Sequence, residues 1–498
     1  MTWIPERSSD GLRPCAASMS VRGSAELDAA PRSSARAVLL AFIGLQLAQI
    51  MGTLDGTIVA TALPSITDDL GGFSRVTWVV TAYALAGVAT MPLHGKLGDI
   101  FGRKRMLIIA LTIFLVASLA CGAARTMDQL LIARFVQGVG GGGLAALPMA
   151  ALADIVPARK LGRWLSYQGI MFAVSSIAGP LVGGLFVDHL SWRWAFFVNL
   201  PVGVVALVII AVRLHAPARV VSHRLDWVGS ALMVVGLSAL VVVATLGGSE
   251  LAWTSPTIVT LVLALPVVLV AFVWREMVAP EPALPLGLLR DSVVRIAVGV
   301  NFTSGVLIWC GIFFIPLFVQ EVGGVSPTAA GLTLMPLMLG AAVGTLVSGR
   351  QVERSGAYRL WPLAGSLLMT AGVALLATVG TRTSGPVMGL YALVLGVGIG
   401  FVMQPSLLAA QNSAPVENLG TATSTTLLFR SLGATMGVPV FGGLLNSALS
   451  GSDADPAAFA QALQRVFLAG VPVGLVSIVL ALRLRDKPLR ERPALEVL

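Results

Sequence analysis

Residues 54–64 read LDGTIVATALP and place one aspartate, Asp55, inside the first long apolar run of the chain. Between residues 37 and 62, Asp55 is the only ionisable side chain. A carboxylate at membrane depth is costly, so ionisable residues in membrane spans usually face a protein interior or a water-filled cavity and mark a proton or solute path. We therefore predict that Asp55 couples transport to protons. The alternative is that Asp55 pairs with a cation on a neighbouring helix and only helps the bundle assemble.

The composition is that of a membrane protein. Of the 498 residues, 56% are hydrophobic and 11% are charged, whereas in a soluble globular domain about a quarter of the residues are charged. The apolar runs are about 18 to 26 residues long, which suffices to cross the bilayer core as helices, and they lack the alternation of barrel strands. The three cysteines are isolated, which indicates neither a disulfide framework nor a metal site. We predict an all-α polytopic membrane protein.

Fourteen spans are predicted from the apolar runs, at residues 37–62, 76–95, 106–124, 129–156, 164–187, 194–212, 227–246, 256–274, 296–319, 328–349, 361–379, 386–409, 421–447 and 464–482. Residues 1–36 contain no apolar core of a signal peptide, and we predict a disordered cytoplasmic segment there. Residues 483–498 are predicted to form a cytoplasmic tail.

The distribution of Lys and Arg tests this topology, because cytoplasmic flanks hold the excess of positive charge. Of the 33 Lys and Arg residues, 26 fall on the termini and on the segments that follow even-numbered spans, and five fall on the opposite flanks. The remaining two, Arg134 and Arg430, lie inside spans 4 and 13. We predict that both termini are cytoplasmic in a multi-pass protein of the cytoplasmic (inner) membrane. Topology, rather than nucleic-acid binding, explains the net charge of +9.

A weak internal repeat divides the chain. The segment GKLGDIFGRKR at 95–105 follows span 2, and a degraded counterpart, GRQVERSGAYR at 349–359, follows span 10. Parallel repeats of this kind predict two bundles with a solute site between them near the middle of the bilayer. The predicted divisions are a six-helix bundle at 37–212, an inserted and peripheral two-helix hairpin with cytoplasmic linkers at 213–295, and a second six-helix bundle at 296–482.

Arg134 is the predicted partner of Asp55. Asp55 lies about 12 Å below the outer end of span 1, and Arg134 lies about 8 Å below the outer end of span 4, so the two side chains can pair if the spans are neighbours. Burial without a partner favours the neutral form of a carboxylate, whereas a neighbouring cation, either Arg134 or a cationic substrate, favours the charged form. This is a physical basis for exchanging a proton against a solute. The alternative is that Arg134 snorkels to the outer headgroups.

The loop after span 2 is a candidate conformational gate. Gly95 and Gly102 supply the backbone freedom of a tight turn, and Asp99 can accept hydrogen bonds from helix N-terminal amides and from Arg103. We expect this network to latch one conformation at the cytoplasmic face. The alternative is a solvated positive loop, which does not account for the spacing of Gly and Asp.

Other candidates come from spans rich in small or polar residues. Gly179 and Pro180 interrupt the amide ladder of span 5, while Gly183 and Gly184 allow close helix approach, so either a hinge or a packing role fits. The run GVGGGGL at 138–144 lacks the Lys of a phosphate-binding loop and is better explained by close packing. The candidate cavity-lining residues are Thr57, Gln137, Gln404 and Arg430.

Together, these segments resemble the major facilitator superfamily, in its fourteen-span drug:proton antiporter branch. LDGTIVATALP resembles the span 1 signature of that branch, with Ala60 in place of the usual asparagine, and WRWAFFVNLPVG at 192–203 is typical of the branch. The remaining matches are to the first cytoplasmic loop motif, the span 4 arginine motif, the span 5 antiporter motif and the glycine patterns of spans 12 and 13: Gly95, Leu97, Asp99, Gly102, Arg103, Lys104; Arg134, Gln137, Gly138; Gly179, Pro180, Gly183, Gly184; Gly396, Gly398, Gly400, Pro405; Gly420, Arg430, Gly433, Gly437. The resemblance implies two six-helix bundles plus two extra central helices, and it implies that Asp99 and Arg103 stabilise an outward-open state.

These observations predict a transporter rather than an enzyme or a receptor. The sequence has no HExxH motif and no ATP-binding motif, and its four histidines fall at span ends or in loops. We expect a proton-coupled antiporter that exports lipophilic neutral or cationic small molecules, needs no cofactor beyond the proton gradient and functions as a monomer in the lipid bilayer. The alternatives are a dedicated exporter of one endogenous metabolite or lipid and a proton-coupled uptake symporter.

Overall fold

The computed structural model describes residues 35–71, 75–214, 226–247, 251–280, 282, 284, 286–325, 330, 332–449 and 456–490. The described residues form α1 (Ala35–Leu70), α2 (Val76–Phe101), α3 (Arg103–Gly122), α4 (Met127–Ile155), α5 (Ala158–His189), α6 (Trp194–Phe197), α7 (Asn199–Arg213), α8 (Trp227–Leu246), α9 (Pro256–Val278), α10 (Ser292–Glu321), α11 (Met335–Ser355), α12 (Leu360–Leu376), α13 (Gly385–Ser413), α14 (Leu419–Leu449) and α15 (Pro456–Leu482). Two short 3₁₀ segments, Leu286–Arg290 and Val416–Asn418, precede α10 and α14. Most of the predicted disordered segment at 1–36 lies outside the described residues.

The predicted spans coincide with these helices, and the sixth is built from α6 and α7. Ten helical segments of the described chain are long and apolar enough to cross a membrane, so this is a multi-pass membrane protein. The full set of fourteen spans stays a prediction. Several helices outrun their predicted spans; α1, for example, continues to Leu70, because helical hydrogen bonding does not stop where the apolar run gives way to polar residues.

The helices pack in two sets. In the N-terminal half (α1–α7), α4 packs against α2 and α3, and α1 packs against α5 and α7. In the C-terminal half (α10–α15), α13 packs against α11 and α12, and α10 packs against α14 and α15. The halves meet where α5 lies along α11 and where α2 and α4 reach α14.

Small residues permit the tight packing of α4. A Cβ atom added at Gly140 would lie 2.7 Å from both the Ala110 carbonyl oxygen and the Phe114 amide nitrogen, and one at Gly142 would lie 2.6 Å from the Gly87 carbonyl oxygen. Glycine therefore lets the α4 backbone contact α2 and α3 directly, as small residues do in membrane helix pairs. The packing interpretation of GVGGGGL is confirmed.

The hairpin α8–α9 is attached to the rest of the protein mainly through α8. Helix α8 packs against α2 and α14, one from each half, whereas α9 packs mainly against α8. At the base of the hairpin, the Arg275 guanidinium donates to both carboxylate oxygens of Asp226, at 3.0 Å from Nε to each and 2.9 Å from Nη2 to Oδ1. Helix α8 therefore lies across the boundary between the two halves, and α9 lies on its outer side.

The residues that follow α15 fold back onto the C-terminal half. Asp486 accepts hydrogen bonds from the amides of Tyr358 at 3.0 Å and Arg359 at 2.9 Å, and Lys487 Nζ lies 2.6 Å from Asp291 Oδ2. Burial alone would raise the pKa of Asp291, but the hydrogen bonds from Lys487 and from two backbone amides hold this pKa below its ordinary value. These bonds join the end of the described chain to α10 and to the α11–α12 turn.

Candidate functional site

Asp55 is the centre of a buried polar cluster between α1, α4 and α7. Its Oδ2 atom lies 2.6 Å from Nη1 of Arg134, and its Oδ1 atom accepts hydrogen bonds from Gln137 Nε2 at 2.8 Å and from Asn199 Nδ2 at 3.0 Å. Asp55 and Arg134 are both fully buried, with 0% exposure. The predicted pairing of these two residues is thus present, and helix depth alone placed it correctly.

A second ring of contacts fixes the members of this cluster. Ser118 on α3 accepts from Gln137 at 2.7 Å and from Asn199 at 3.0 Å. Gln137 Oε1 in turn accepts from Arg134 Nη1 at 2.7 Å. Since Gln137 contacts three of these residues and Asn199 contacts two, the carboxylate is held by a connected network rather than by one bond.

Arg134 does not snorkel. Its Nε atom donates to the Val79 carbonyl oxygen at 3.0 Å, and its guanidinium carbon lies 4.4 Å from the centre of the Tyr83 ring. A snorkelling arginine would place its guanidinium in the headgroups, so the snorkelling alternative is wrong. The assembly alternative for Asp55 remains compatible with this geometry, because a buried pair can serve both folding and coupling.

Sequence reasoning missed Asn199, Ser118 and Tyr83. Asn199 stands inside WRWAFFVNLPVG, and as a polar side chain at the start of an apolar run it was a usable signal. Ser118 sits among small residues in an apolar run, where nothing distinguishes it from a packing serine. The exact rotation of α3 and α7, which the sequence does not specify, is what brings these side chains to Asp55.

The predicted gate joins the two halves of the protein at one end, here named the Asp99 end. The Asp99 carboxylate accepts from the amides of Gly420 at 3.0 Å and Thr421 at 2.8 Å, and from the Thr421 hydroxyl at 2.8 Å. These donors lie at the N-terminus of α14, where a negative charge is favoured by the helix dipole. A Cβ atom at Gly95 would collide with Ser424 and would lie 2.7 Å from the Gly420 carbonyl oxygen. The Asp99 end is therefore closed.

Arg103 completes the gate within the N-terminal half. Its Nη2 atom lies 2.5 Å from Asp99 Oδ1, and its Nε atom lies 2.8 Å from Asp154 Oδ2 on α4. All three side chains are buried. Gly102 adopts φ +88° between α2 and α3, which is the conformation that a side chain disfavours and the predicted turn requires. Asp154 was missed because it lies at the very end of an apolar span.

The span 5 glycines contact α1 unequally. A Cβ atom at Gly179 would collide with Thr57, and one at Gly183 would collide with Thr61 and lie 3.1 Å from the Ile58 carbonyl oxygen. Gly184 has open space within 4 Å, so the close approach predicted there is not found. Helix α5 is continuous through Pro180.

We expect Gly183→Ala to lower the free energy of unfolding by about 1–3 kcal/mol, because the added methyl group overpacks the α1–α5 contact. Gly184→Ala is the matched control and should be neutral or slightly stabilising, since its methyl group meets open space and alanine favours the helix. Thermal unfolding of the two purified variants measures the difference. Equal melting temperatures would show that the α1–α5 contact does not require glycine.

A cavity of about 330 Å³ lies between the two halves near the middle of the helices. It is lined by residues of seven helices: Gln46, Gln49, Ile50, Thr53, Ala84, Val88, Met171, Ser175, Ile308, Trp309, Ala341, Thr345, Met403, Gln404, Arg430, Ser431, Ala434 and Thr435. Its volume falls in the range of small-molecule sites. Among the lining residues of the described chain, Arg430 is the only charged one.

The candidate cavity-lining residues separate into two pairs. Gln404 and Arg430 line the cavity. Gln137 belongs to the Asp55 cluster, and Thr57 donates to the Leu54 carbonyl oxygen at 2.9 Å on the side of α1 that meets Gly179. Asp55 is itself about 200° around α1 from the cavity-lining Thr53, given about 100° per residue. The carboxylate and the cavity therefore lie on opposite faces of one helix.

Two helical halves around a central cavity that is closed at one end are the architecture of a membrane transporter. The chain belongs to the Major Facilitator Superfamily, whose sequence model matches residues 45–438. It is a transporter, as this family is, and not an enzyme.

Individual comparisons agree with this family. An uncharacterized MFS-type transporter of Mycobacterium tuberculosis is 36% identical over 90% of this chain and 70% of its own length. The multidrug transporter protein MdtP of Bacillus subtilis is 34% identical over 84% of this chain and 76% of its own length. The solved structure of the proton:xylose symporter XylE superposes with a TM-score of 0.64 over 92% of this chain and 98% of that one, at 15% identity, which establishes the fold alone.

Proposed function

We propose that this protein is a proton-coupled antiporter of the fourteen-span drug:proton branch that exports lipophilic small molecules. The observation that carries the proposal is a fully buried carboxylate, Asp55, held by Arg134 on the face of α1 opposite the central cavity. The names of relatives such as MdtP, a multidrug transporter, support the substrate class.

The proposed coupling runs through α1. Protonation of Asp55 removes its charge and releases Arg134, which must then find other partners. Because α1 presents Asp55 on one face and Gln46, Gln49 and Thr53 to the cavity, a shift of α1 in response changes the cavity. The tight contacts of α1 with Gly179 and Gly183 would carry α5 along with it.

Alternating access requires the gate at Asp99 to open and close. In this conformation the Asp99 end is closed by its bonds to α14. The positive-inside pattern assigns that end, with both termini, to the cytoplasm, so the conformation is the one that cannot receive substrate from inside. We further propose the cytoplasmic membrane as the location and the monomer as the functional unit, since one chain supplies both halves of the cavity.

The cavity favours neutral substrates within the class expected from sequence. Ile50, Met403 and Trp309 offer apolar contacts to the body of a lipophilic neutral or monocationic compound. A cation additionally needs a negative partner, and Asp55 faces away from the cavity while no acidic residue lines it in the described chain. We therefore propose lipophilic neutral compounds as substrates ahead of monocations.

Flux into proteoliposomes under an imposed pH gradient tests the proposal. An exporter exchanges external protons for internal drug, so acidifying one compartment should drive a panel of lipophilic compounds into that compartment. Accumulation in the opposite compartment would indicate proton-coupled uptake. Movement of a single compound out of a chemically broad panel would indicate a dedicated exporter. Flux indifferent to the pH gradient would refute proton coupling.

We expect the hairpin to be dispensable for coupling. Replacing residues 226–278 with a polar cytoplasmic linker exposes the apolar faces of α2 and α14 to lipid, which can cover them as α8 does. The variant should insert with both termini inside and retain measurable pH-driven efflux, and the same variant carrying Asp55→Asn supplies the uncoupled baseline. Complete loss of efflux in a stable, correctly inserted protein would show that the hairpin takes part in transport.

A further inference from the structure

Arg430 is a cation without a counter-ion in the wall of the central cavity. It lies in the middle of α14, and the described residues provide neither an ion pair nor a hydrogen-bond partner for its guanidinium. The fully buried arginines behave differently: Arg134 pairs with Asp55, and Arg103 pairs with Asp99 and Asp154. Arg430 is instead half-buried in the cavity wall, where its charge is available to a ligand in the cavity.

The backbone that carries Arg430 is held rigidly by α10. A Cβ atom at Gly305 would collide with the Arg430 carbonyl group, and one at Gly433 would collide with the Phe302 carbonyl group. These two reciprocal backbone contacts fix the position of α14 at this level. A cation on a rigid element needs little reorganisation to meet a ligand.

The residues around Arg430 indicate which kind of ligand it would bind. Ser431 and Thr435 on α14 and Gln404 on α13 contribute polar groups to the cavity wall, while Trp309, Ile308 and Met403 contribute apolar surface. We propose that Arg430 binds the acidic group of amphipathic organic monoanions, such as sulfonates or carboxylates with an aromatic body, and that the cavity admits them as substrates. The guanidinium group can donate two parallel hydrogen bonds to two oxygen atoms of a carboxylate or a sulfonate.

The net charge that crosses the membrane in one transport cycle differs between anionic and neutral substrates. Inward movement of one proton against outward movement of one neutral molecule transfers one charge, whereas the same exchange against a monoanion transfers two. Each transferred charge adds roughly fifty-fold to the attainable gradient at 100 mV. Export of an anion would therefore draw on the membrane potential more steeply than export of a neutral compound. This transport half of the inference rests on the proposed function, whereas binding does not.

The binding experiment compares two probes that differ by one sulfonate group, 8-anilino-1-naphthalenesulfonate and N-phenyl-1-naphthylamine. The purified full chain is placed in phosphatidylcholine nanodiscs, so that no anionic lipid competes, and binding to empty discs is subtracted. We expect the sulfonate to bind about tenfold more tightly than the amine, as one charged hydrogen-bonded contact provides. Arg430→Gln should remove that factor by weakening sulfonate binding more than amine binding, and Arg430→Lys should retain part of it.

Arg350→Gln serves as the control, because Arg350 is exposed at the end of α11 and does not line the cavity. The Arg350→Gln variant should bind both probes as tightly as the native protein does. Sulfonate binding that is unchanged in Arg430→Gln, or an equal loss for both probes, would overturn the inference. The pH-driven flux of the neutral amine is measured on the native protein: if that flux is present while the native protein shows no preference for the sulfonate, the inference fails and the proposed antiport stands. The reverse result would fault the antiport and leave the anion site in place.

Discussion

Asp55→Asn should abolish pH-driven efflux. The substitution keeps the volume of the side chain and removes the only carboxylate deep in the described N-terminal half, so no group in the cluster can take up and release the driving proton. It also leaves Arg134 without its counter-ion, and removal of one partner of a buried ion pair lowers the free energy of unfolding by about 3–5 kcal/mol. The single variant should thus be both uncoupled and less stable, which by itself leaves the cause of the lost transport ambiguous.

The double variant Asp55→Asn with Arg134→Gln resolves that ambiguity. Removing both charges leaves neutral amides that can hydrogen-bond to Gln137 and Asn199, and neutralising a buried pair is often without net cost to stability. We expect the double variant to recover the thermal stability of the native protein while accumulating no substrate in response to a pH gradient. Exchange of labelled for unlabelled substrate across the membrane needs no proton and should persist.

Substrate affinity provides a further readout on these variants. Because Asp55 lies on the face of α1 away from the cavity, binding of a neutral substrate should change little in either variant. A double variant that is stable, binds substrate and still concentrates it along a pH gradient would exclude Asp55 as the coupling group. Binding lost together with coupling would instead place Asp55 in the substrate site.

The sequence was sufficient to predict the helices and two ion pairs, Asp55 with Arg134 and Asp99 with Arg103. Apolar runs long enough to cross a bilayer allow few structures other than helices, since every backbone polar group must be satisfied internally. Depth follows from counting residues along a helix, and it predicted the Asp55–Arg134 pair, which the geometry confirms.

Rotation about each helix axis was not predictable in the same way. Uniformly apolar helices carry little signal for which face turns inward, because lipid and protein core are equally apolar. That is why Thr57 and Gln137 were expected at the cavity and lie elsewhere, and why Asn199 was missed although it contacts Asp55. Positions that join the two halves, such as Thr421 beside Asp99, depend on how α14 packs against α2 and have no local sequence signature.

Asp99→Ala should shift the protein away from the conformation that is closed at the Asp99 end. The carboxylate accepts three bonds from Gly420 and Thr421 across the halves, and all three exist only while that end is closed. Hydrogen bonds to a charged group contribute about 1.5–3 kcal/mol each in favourable cases, so a net bias of about 2 kcal/mol, roughly thirtyfold in population, is a conservative expectation. Turnover should fall more than substrate affinity, since the cycle then dwells in the opened state.

Asp154→Ala is the matched control for this latch. Asp154 pairs with the same arginine, Arg103, but from α4 of the same half, so its removal weakens the half without favouring either conformation. Spin labels at the exposed positions Lys160 and Arg350, which flank the Gly162–Gly349 contact between α5 and α11, report the separation of the halves at this end. The long-distance population should grow in Asp99→Ala and stay near the native level in Asp154→Ala. Equal distance distributions in all three proteins would mean that the bonds of Asp99 to α14 accompany closure without stabilising it.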